Sequence, residues 1–194
     1  MRFVSIFAAV CLVFAGSAAA EERRAVFAGG CFWCVEADFD KLDGVLATVS
    51  GFAGGSVEDP SYRQVVAGGT GHLEVVEVRY NADVVSFREL ADYHLRHIDP
   101  TDAGGQFCDR GESYTTALFY ETDAERTEAE AALREAEDAL GEPLATPVRR
   151  LDAFYPAEEY HQDYYLKKPN AYRFYRASCG RDRRVKRVWS AVAE

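Results

Sequence analysis

The amino-acid sequence predicts an α+β fold in which a mixed β-sheet and a layer of helices form a two-layer sandwich. Segments with strand-like alternation or β-branched runs are separated along the chain by segments whose apolar residues recur at helical spacing. Such an order of elements favours helices packed on a sheet over an all-α or all-β architecture. The 194 residues are 48% hydrophobic and 13% aromatic, which suffices for one domain with a substantial core.

The first twenty residues differ from the rest of the chain. MRFVSIFAAVCLVFAGSAAA has an early positive charge at Arg2, an apolar run, and small residues ending in Ala20. This is the pattern of a secretory signal peptide with an A-x-A cleavage site, and the run is too short for a good membrane anchor. We therefore expect residues 1–20 to be cleaved and residues 21–194 to form a single domain. The mature protein would be periplasmic or secreted, with no membrane attachment.

The first half of the mature chain alternates between strands and helices. RAVFAG predicts a strand, and the stretch from Cys31 to Leu42 predicts a helix. VLATVSGFAGG predicts a second strand, SYRQVVAG a short helix at most, and GHLEVVEVRY a clearly alternating strand. SFRELADYHLRHI is an amphipathic helix for which Ser86 and Glu89 form a capping box.

The second half begins with a glycine-bearing loop from Asp99 to Ser113. The strand YTTALFY, the helix DAERTEAEAALREAEDAL and a last strand in TPVRRLD follow. The remaining segment is rich in tyrosine and contains Pro156 and Pro169, so we expect a long coil-rich C-terminal part. The elements before it are expected to form a ferredoxin-like core.

The charge balance bears on possible partners. A formal net charge of −10 argues against a nucleic-acid partner, because phosphate binding requires a clustered basic surface. The basic run GRDRRVKR near the C-terminus is expected to be a solvated tail or a patch that faces a partner.

Two cysteines and two aromatic residues stand together in FAGGCFWCVEADF, where Cys31 and Cys34 enclose Phe32 and Trp33. This pattern fits a redox pair, half of a metal site, or core packing with an incidental thiol. Zinc is disfavoured, because the other cysteines are solitary and the four histidines do not lie at ligand spacing. At the start of a helix, the partial positive charge of the backbone favours a thiolate, so Cys31 is expected to have a lowered pKa.

Several further blocks extend the pattern around GCFWC. VSGFAGG, TGHLEVVEVRY, IDPTDAGGQFCDRGESYTTALFY and FYPAEEYHQDYY follow it in this order. Together with GCFWC they resemble the successive motifs of methionine sulfoxide reductase A, over most of the chain from Val26 to about Trp189. Ordered blocks over this length are far more specific than a C-x-x-C pair alone.

The resemblance implies reduction of the S-epimer of methionine sulfoxide, in oxidised proteins or as the free amino acid. In that reaction Cys31 is the nucleophile that attacks the sulfoxide sulfur, and Glu74 donates a proton to the sulfoxide oxygen. Asp109 and Tyr114 hold and polarise that oxygen, while Phe32 and Trp33 enclose the substrate methyl group. The product on Cys31 is a sulfenic acid, which a second thiol condenses to a disulfide.

The resemblance also implies a resolving cysteine and a reductant. Either Cys34, on the same helix, or Cys179, in ASCGRD near the C-terminus, can serve as the resolving thiol. A thioredoxin-like protein or another dithiol then reduces the disulfide. No metal and no bound cofactor are implied, and we expect a monomer.

Two positions depart from the family pattern. Phe52 stands where the family usually has tyrosine in a G-Y-x-G-G turn, so one hydroxyl donor is expected to be missing from the oxygen-binding set, at some loss of activity. Cys108 stands where a small residue is common, and we expect it to be a buried, space-filling thiol. Glu77, three residues after Glu74, is expected to be a surface carboxylate on the opposite face of the strand.

Two other functions fit the same cysteines. A thioredoxin-like disulfide oxidoreductase also has C-x-x-C at a helix start, but its tryptophan precedes the pair. A disulfide-stapled binding domain is the second alternative, and it would leave no free thiol in the mature protein.

Overall fold

The computed structural model describes residues 21–190. The predicted signal peptide, residues 1–20, lies outside the described residues. The described part has eight strands, seven α-helices and one short 3₁₀ helix, Glu112–Tyr114. The strands are β1 (Glu22–Gly29), β2 (Val45–Ala53), β3 (Leu73–Asn81), β4 (Gly105–Gln106), β5 (Asp109–Arg110), β6 (Thr116–Tyr120), β7 (Val148–Arg150) and β8 (Phe154–Pro156). The helices are α1 (Phe32–Phe39), α2 (Tyr62–Ala67), α3 (Phe87–Arg96), α4 (Asp123–Leu140), α5 (Tyr164–Lys167), α6 (Pro169–Cys179) and α7 (Arg181–Trp189).

Six of the strands form one mixed sheet in the order β7-β6-β1-β3-β2-β8. All neighbours in it are antiparallel except β6 and β7, which are parallel. The predicted α+β class with a mixed sheet and packed helices is confirmed. β8 follows β7 in the chain, so the TPVRRLD strand is not the last one.

The core lies on both faces of this sheet. On one face, Phe27 and Val76 pack in a large cluster that includes Leu90 of α3 and Ala132 of α4. The other face carries a smaller apolar cluster. Burial on both faces explains why nearly every residue of β3 is inaccessible to solvent.

Helices α3 and α4 begin with capping boxes. Ser86 accepts a hydrogen bond from the backbone N–H of Glu89, and the Glu89 carboxylate accepts one from the Ser86 N–H. Thr122 and Glu125 do the same at the start of α4. These reciprocal bonds satisfy backbone donors that lack partners within the helix. The capping box predicted from Ser86 and Glu89 is confirmed.

The C-terminal segment is helical from Tyr164 to Trp189 with short breaks, so the coil-rich prediction is wrong. Pro169 does not interrupt a helix, because it occupies the first turn of α6, where proline has no backbone hydrogen bond to lose. Gly180 adopts a left-handed conformation with φ of 74° and separates α6 from α7. Among residues 21–190, no helix combines the length and apolar character needed to span a membrane.

Candidate active site

Cys31 lies between the end of β1 and the start of α1, where it is the N-cap residue of the helix. The preceding Gly30 has φ of 78°, and a Cβ atom there would lie 2.5 Å from the Cβ of Gln106. Only glycine therefore fits between the strand and the buried Gln106 side chain. This glycine serves close packing around the thiol.

Cys31 and Cys34 are free thiols with exposed fractions of 6% and 2%, and they share a hydrogen bond. That bond lowers the pKa of Cys34 to about 7, and the positive charges of Arg181 and Arg176 add to the effect. Burial raises the pKa of Cys31 instead. The expected lowering at the helix start is therefore not what the site shows, because removal of the thiolate from water outweighs the helix dipole.

Glu74 lies on β3 directly opposite Phe52 of β2, and its side chain is 1% exposed. One carboxyl oxygen accepts a hydrogen bond of 3.0 Å from the backbone N–H of Phe32, the residue after Cys31. Burial raises the pKa of Glu74 to about 8. At neutral pH the side chain is therefore mainly a carboxylic acid that can donate a proton.

Glu77, on the same strand, is also buried, so its predicted surface position is wrong. Its carboxylate forms ion pairs of 3.2 Å with Arg24 and 3.3 Å with Arg79. These two guanidinium groups compensate the buried charge. Within residues 21–190 Glu74 has no ion-pair partner, which distinguishes the two neighbouring carboxyl groups.

Two tyrosine hydroxyl groups share a hydrogen bond beside Glu74. Tyr114 ends the short 3₁₀ helix, and Tyr62 begins α2. Burial raises the pKa of both phenols, so both remain protonated donors at neutral pH. Sequence reasoning identified Tyr114 and missed Tyr62, because α2 was interpreted only as a short helix and nothing in its own pattern marks the tyrosine.

Asp109 of β5 is half-buried. It accepts a hydrogen bond from the Tyr175 hydroxyl of α6, and its carboxylate lies 3.8 Å from Cys179 Sγ. Burial raises the pKa of Asp109, and the Tyr175 hydrogen bond opposes that rise. The structure thus brings Cys31, Glu74, Asp109 and Tyr114 close to one another.

Aromatic rings surround the thiol pair. Trp33 stacks on Tyr164 with ring centroids 3.8 Å apart, and its indole N–H donates to Nδ1 of His161 at 3.2 Å. Burial lowers the pKa of His161 and keeps it neutral, which suits its role as acceptor. Phe52 is 0% exposed and packs behind Phe32 at a centroid distance of 6.0 Å.

Cys108 and Cys179 form a disulfide with a Cα–Cα distance of 5.0 Å. Cys108 is exposed, so the predicted buried, space-filling thiol is wrong. The two sulfurs and an Asp109 oxygen lie within 4.8 Å of one another, but sulfurs bonded to each other are not the thiolate ligands that metals require. Two free thiols remain in residues 21–190, which is inconsistent with the disulfide-stapled binding domain.

Comparison with known proteins places this arrangement in a family. The family model described as peptide methionine sulfoxide reductase matches residues 23–193. Peptide methionine sulfoxide reductase MsrA 2 of Rhizobium meliloti is 46% identical over 189 residues, which cover 97% of this chain and 94% of the relative.

Solved structures agree with this match. Reduced Mxr1 from Saccharomyces cerevisiae is similar with a TM-score of 0.73 at 34% identity, covering 77% of this chain and 87% of Mxr1. Mxr1 in complex with Trx2 gives a TM-score of 0.54 at 29% identity, covering 74% of this chain and 84% of Mxr1. The chain belongs to the peptide methionine sulfoxide reductase family.

Proposed function

We propose that this protein reduces the S-epimer of methionine sulfoxide, in oxidised proteins and as the free amino acid. The observation that carries the proposal is the buried acid beside the nucleophile: Glu74, with a pKa of about 8, is hydrogen-bonded to the backbone next to Cys31. A sulfoxide oxygen leaves only when protonated, and Glu74 supplies that proton at neutral pH. Family membership and the ordered motifs support the same reaction.

In the first step the Cys31 sulfur attacks the sulfoxide sulfur while Glu74 protonates the oxygen. The oxygen is then transferred to Cys31, which becomes a sulfenic acid, and methionine is released. The substrate sulfur gains two electrons and the Cys31 sulfur loses two, so the step is balanced. Phe32 and Trp33 provide the apolar walls for the substrate methyl group, as their position beside the thiol allows.

Tyr62 and Tyr114 are the proposed hydroxyl donors to the sulfoxide oxygen, and Asp109 lies close enough to Glu74 and Tyr114 for its charge to affect their pKa values. Both phenols are protonated, mutually hydrogen-bonded and close enough to Glu74 for its charge to affect their pKa values. Tyr62 thus supplies a second hydroxyl group. Phenylalanine at position 52 therefore does not leave the oxygen-binding residues without a hydroxyl donor. Phe52 instead supports the Phe32 ring from the interior.

Cys34 is the proposed resolving thiol. It already shares a hydrogen bond with Cys31, whereas Cys179 is engaged with Cys108. A thiolate at Cys34 attacks the sulfenic sulfur of Cys31 and a disulfide forms, while the hydroxide that is displaced takes a proton from the solvent and leaves as water. The pKa of about 7 makes Cys34 a substantial thiolate at neutral pH.

A thioredoxin is the proposed reductant of the resulting disulfide, and the reaction requires no bound cofactor. The complex of yeast Mxr1 with Trx2 supports this donor. Exchange of the protein disulfide with the donor dithiol regenerates Cys31 and Cys34 and leaves the donor oxidised.

We also propose that residues 1–20 are a cleaved signal peptide and that residues 21–194 form one catalytic domain that acts in the periplasm or after secretion. The charge, apolar run and A-x-A ending of the leader support this. The exposed Cys108–Cys179 disulfide suits an oxidising compartment. N-terminal sequencing of protein from the producing cell should begin at Glu21, and an uncleaved Met1 would contradict the proposal.

The ferredoxin-like description of the core is likewise a proposal. Its support is the succession β1-α1-β2-β3-α3-β6, whose four strands have the spatial order β6-β1-β3-β2.

Single-turnover reduction of each epimer of a methionine sulfoxide peptide tests the function. The fully reduced mature protein should convert the S-epimer only, and Cys31→Ser should convert neither. Conversion of the R-epimer instead, or equal conversion by Cys31→Ser, would contradict the assignment. An insulin-reduction assay run in parallel detects a disulfide oxidoreductase.

A further inference from the structure

Helix α6 brings a tyrosine to the thiol pair that none of the motif blocks contains. Tyr175 donates its hydroxyl hydrogen to the Asp109 carboxylate. Its ring meets Trp33 edge-on with centroids 5.8 Å apart. The same hydroxyl lies within hydrogen-bonding reach of Cys31. Tyr175 therefore stands between the carboxylate and the sulfur of the proposed nucleophile.

The Cys108–Cys179 disulfide restrains the position of Tyr175 relative to Asp109. Cys179 follows Tyr175 by four residues, one helical turn along α6, and Cys108 directly precedes Asp109. The Cys108–Cys179 bond therefore joins the two backbone segments that carry Tyr175 and its acceptor. Arg176, the next residue in α6, forms a 3.0 Å ion pair with buried Asp38 of α1. Helix α6 is thus attached to the elements on both sides of the thiol.

The Tyr175 hydroxyl can remain a hydrogen-bond donor while its acceptor changes from Asp109 to Cys31. Burial raises the pKa of Tyr175, so the phenol keeps its proton throughout the physiological range. A phenol has one hydrogen to donate, and in the resting site Asp109 accepts it. As Cys31 loses its proton and gains charge, a small rotation of the O–H bond redirects the hydrogen to sulfur. The thiolate, like the Asp109 carboxylate, is a charged acceptor, and it forms a stronger hydrogen bond than the neutral thiol does.

We propose that Tyr175 is a further catalytic residue, whose hydroxyl donates a hydrogen bond to the Cys31 sulfur as it becomes a thiolate, and that the Cys108–Cys179 disulfide positions it. This inference rests on the proposed function, because it assigns Cys31 as the nucleophile. Tyr175 keeps its own proton, and no electrons pass through it. Tyr175 hence differs in role from Tyr62 and Tyr114, which face the substrate oxygen.

The pH profile of Cys31 alkylation by iodoacetamide tests the contact without any sulfoxide. Fragment-ion mass spectrometry distinguishes Cys31 from Cys34, and the protein is prepared with the Cys108–Cys179 disulfide intact. Tyr175→Phe keeps the ring and removes only the hydroxyl. We expect the profile to move to higher pH and the Cys31 rate at pH 8 to fall about tenfold or more, as for the loss of a hydrogen bond to a charged group.

Turnover provides the second readout. With peptide methionine sulfoxide, Tyr175→Phe should lower kcat by about the same factor with little change in KM, because the lost bond acts on the nucleophile. Tyr165→Phe is the matched control, since it also removes a tyrosine hydroxyl bonded to a carboxylate, that of exposed Asp40 at 2.7 Å. The control should match the wild-type protein in both readouts.

The alkylation and turnover results together distinguish a catalytic role of Tyr175 from a merely structural one. An unchanged alkylation profile in Tyr175→Phe refutes the proposal, and so does faster alkylation, which would identify Tyr175 as a cover over the thiol. If Tyr175→Phe does not fold, the Cys108→Ser and Cys179→Ser double variant replaces it, and its profile should shift in the same direction by a smaller amount. No shift there would also refute the proposal. A shifted profile in a protein that reduces neither epimer would refute the proposed function while leaving the Tyr175 contact standing.

Discussion

The burial of Glu74 has a cost to stability that depends on pH, and glutamine in its place removes that cost. Glu74 is 1% exposed, and its pKa is raised to about 8 from an ordinary value of 4.5. The folded state therefore holds the Glu74 proton at pH values where the unfolded chain has released it. A carboxyl group shifted in this direction makes its full contribution to stability below about pH 4.5 and loses it as the pH rises toward 8.

The magnitude follows from the two pKa values. Each pH unit between them removes about 1.4 kcal/mol from the free energy of unfolding. From pH 4 to pH 7 the loss attributable to Glu74 is therefore ~3 kcal/mol. In Glu74→Gln the amide does not titrate, and its oxygen still accepts from the backbone N–H of Phe32.

Urea unfolding at pH 4, 5.5 and 7 measures this difference. Glu74→Gln should gain stability relative to the wild-type protein as the pH rises, by ~3 kcal/mol over the series, while its single-turnover reduction of the S-epimer is lost. Glu77→Gln is the control on the same strand. It removes the acceptor of two ion pairs, with Arg24 and Arg79, and should be destabilised at pH 7.

A constant difference between Glu74→Gln and wild-type protein at all three pH values would refute the argument, because it would mean that Glu74 titrates normally in the folded state. Retention of turnover by Glu74→Gln would refute its role as the acid. The two readouts are independent, so a stabilised variant that remains active would leave the burial argument intact and remove the catalytic one.

Three further substitutions test the surroundings of the site. Tyr62→Phe should slow single turnover about tenfold, the loss expected for one hydrogen bond to developing charge. Phe52→Tyr should not increase the rate of turnover. In urea titrations it should lower the free energy of unfolding by about 1–3 kcal/mol, because position 52 is fully buried against Phe32. Faster turnover would show that the site does lack a hydroxyl there. Cys108→Ser should cost ~4 kcal/mol of stability through loss of a cross-link between residues 71 positions apart, and a loss below about 1 kcal/mol would contradict this value.

Local patterns predicted those parts of the structure that depend on neighbouring residues. The capping box at Ser86 and the existence of strand β3 are consequences of side chains a few positions apart, and both were predicted correctly. The C-terminal helices were not, because a proline at position 169 is equally compatible with coil and with a first helical turn.

The missed parts of the site depend on contacts between distant segments. Tyr62 reaches Tyr114 across 52 residues, and Cys108 meets Cys179 across 71. Neither pairing has a local signal, since a cysteine's partner cannot be deduced from spacing alone. The pKa of Cys31 was predicted in the wrong direction for a related reason: the helix start is visible in the sequence, but the burial that outweighs it comes from the surrounding elements.

The two carboxyl groups of the site, Glu74 and Asp109, have different roles at the same pH: one is a proton donor and the other accepts a hydrogen bond. Glu74 is buried with a backbone N–H as its hydrogen-bond donor, so its ionised form is poorly stabilised and its pKa rises to about 8. Asp109 is only half-buried; burial raises its pKa as well, but the hydrogen bond from the Tyr175 hydroxyl opposes that rise. Environments that separate the pKa values of paired titratable groups assign their roles. In the mechanism that we propose, Glu74 therefore gives its proton to the sulfoxide oxygen, while Asp109 accepts the Tyr175 hydrogen bond until that hydroxyl turns to the charged Cys31 sulfur.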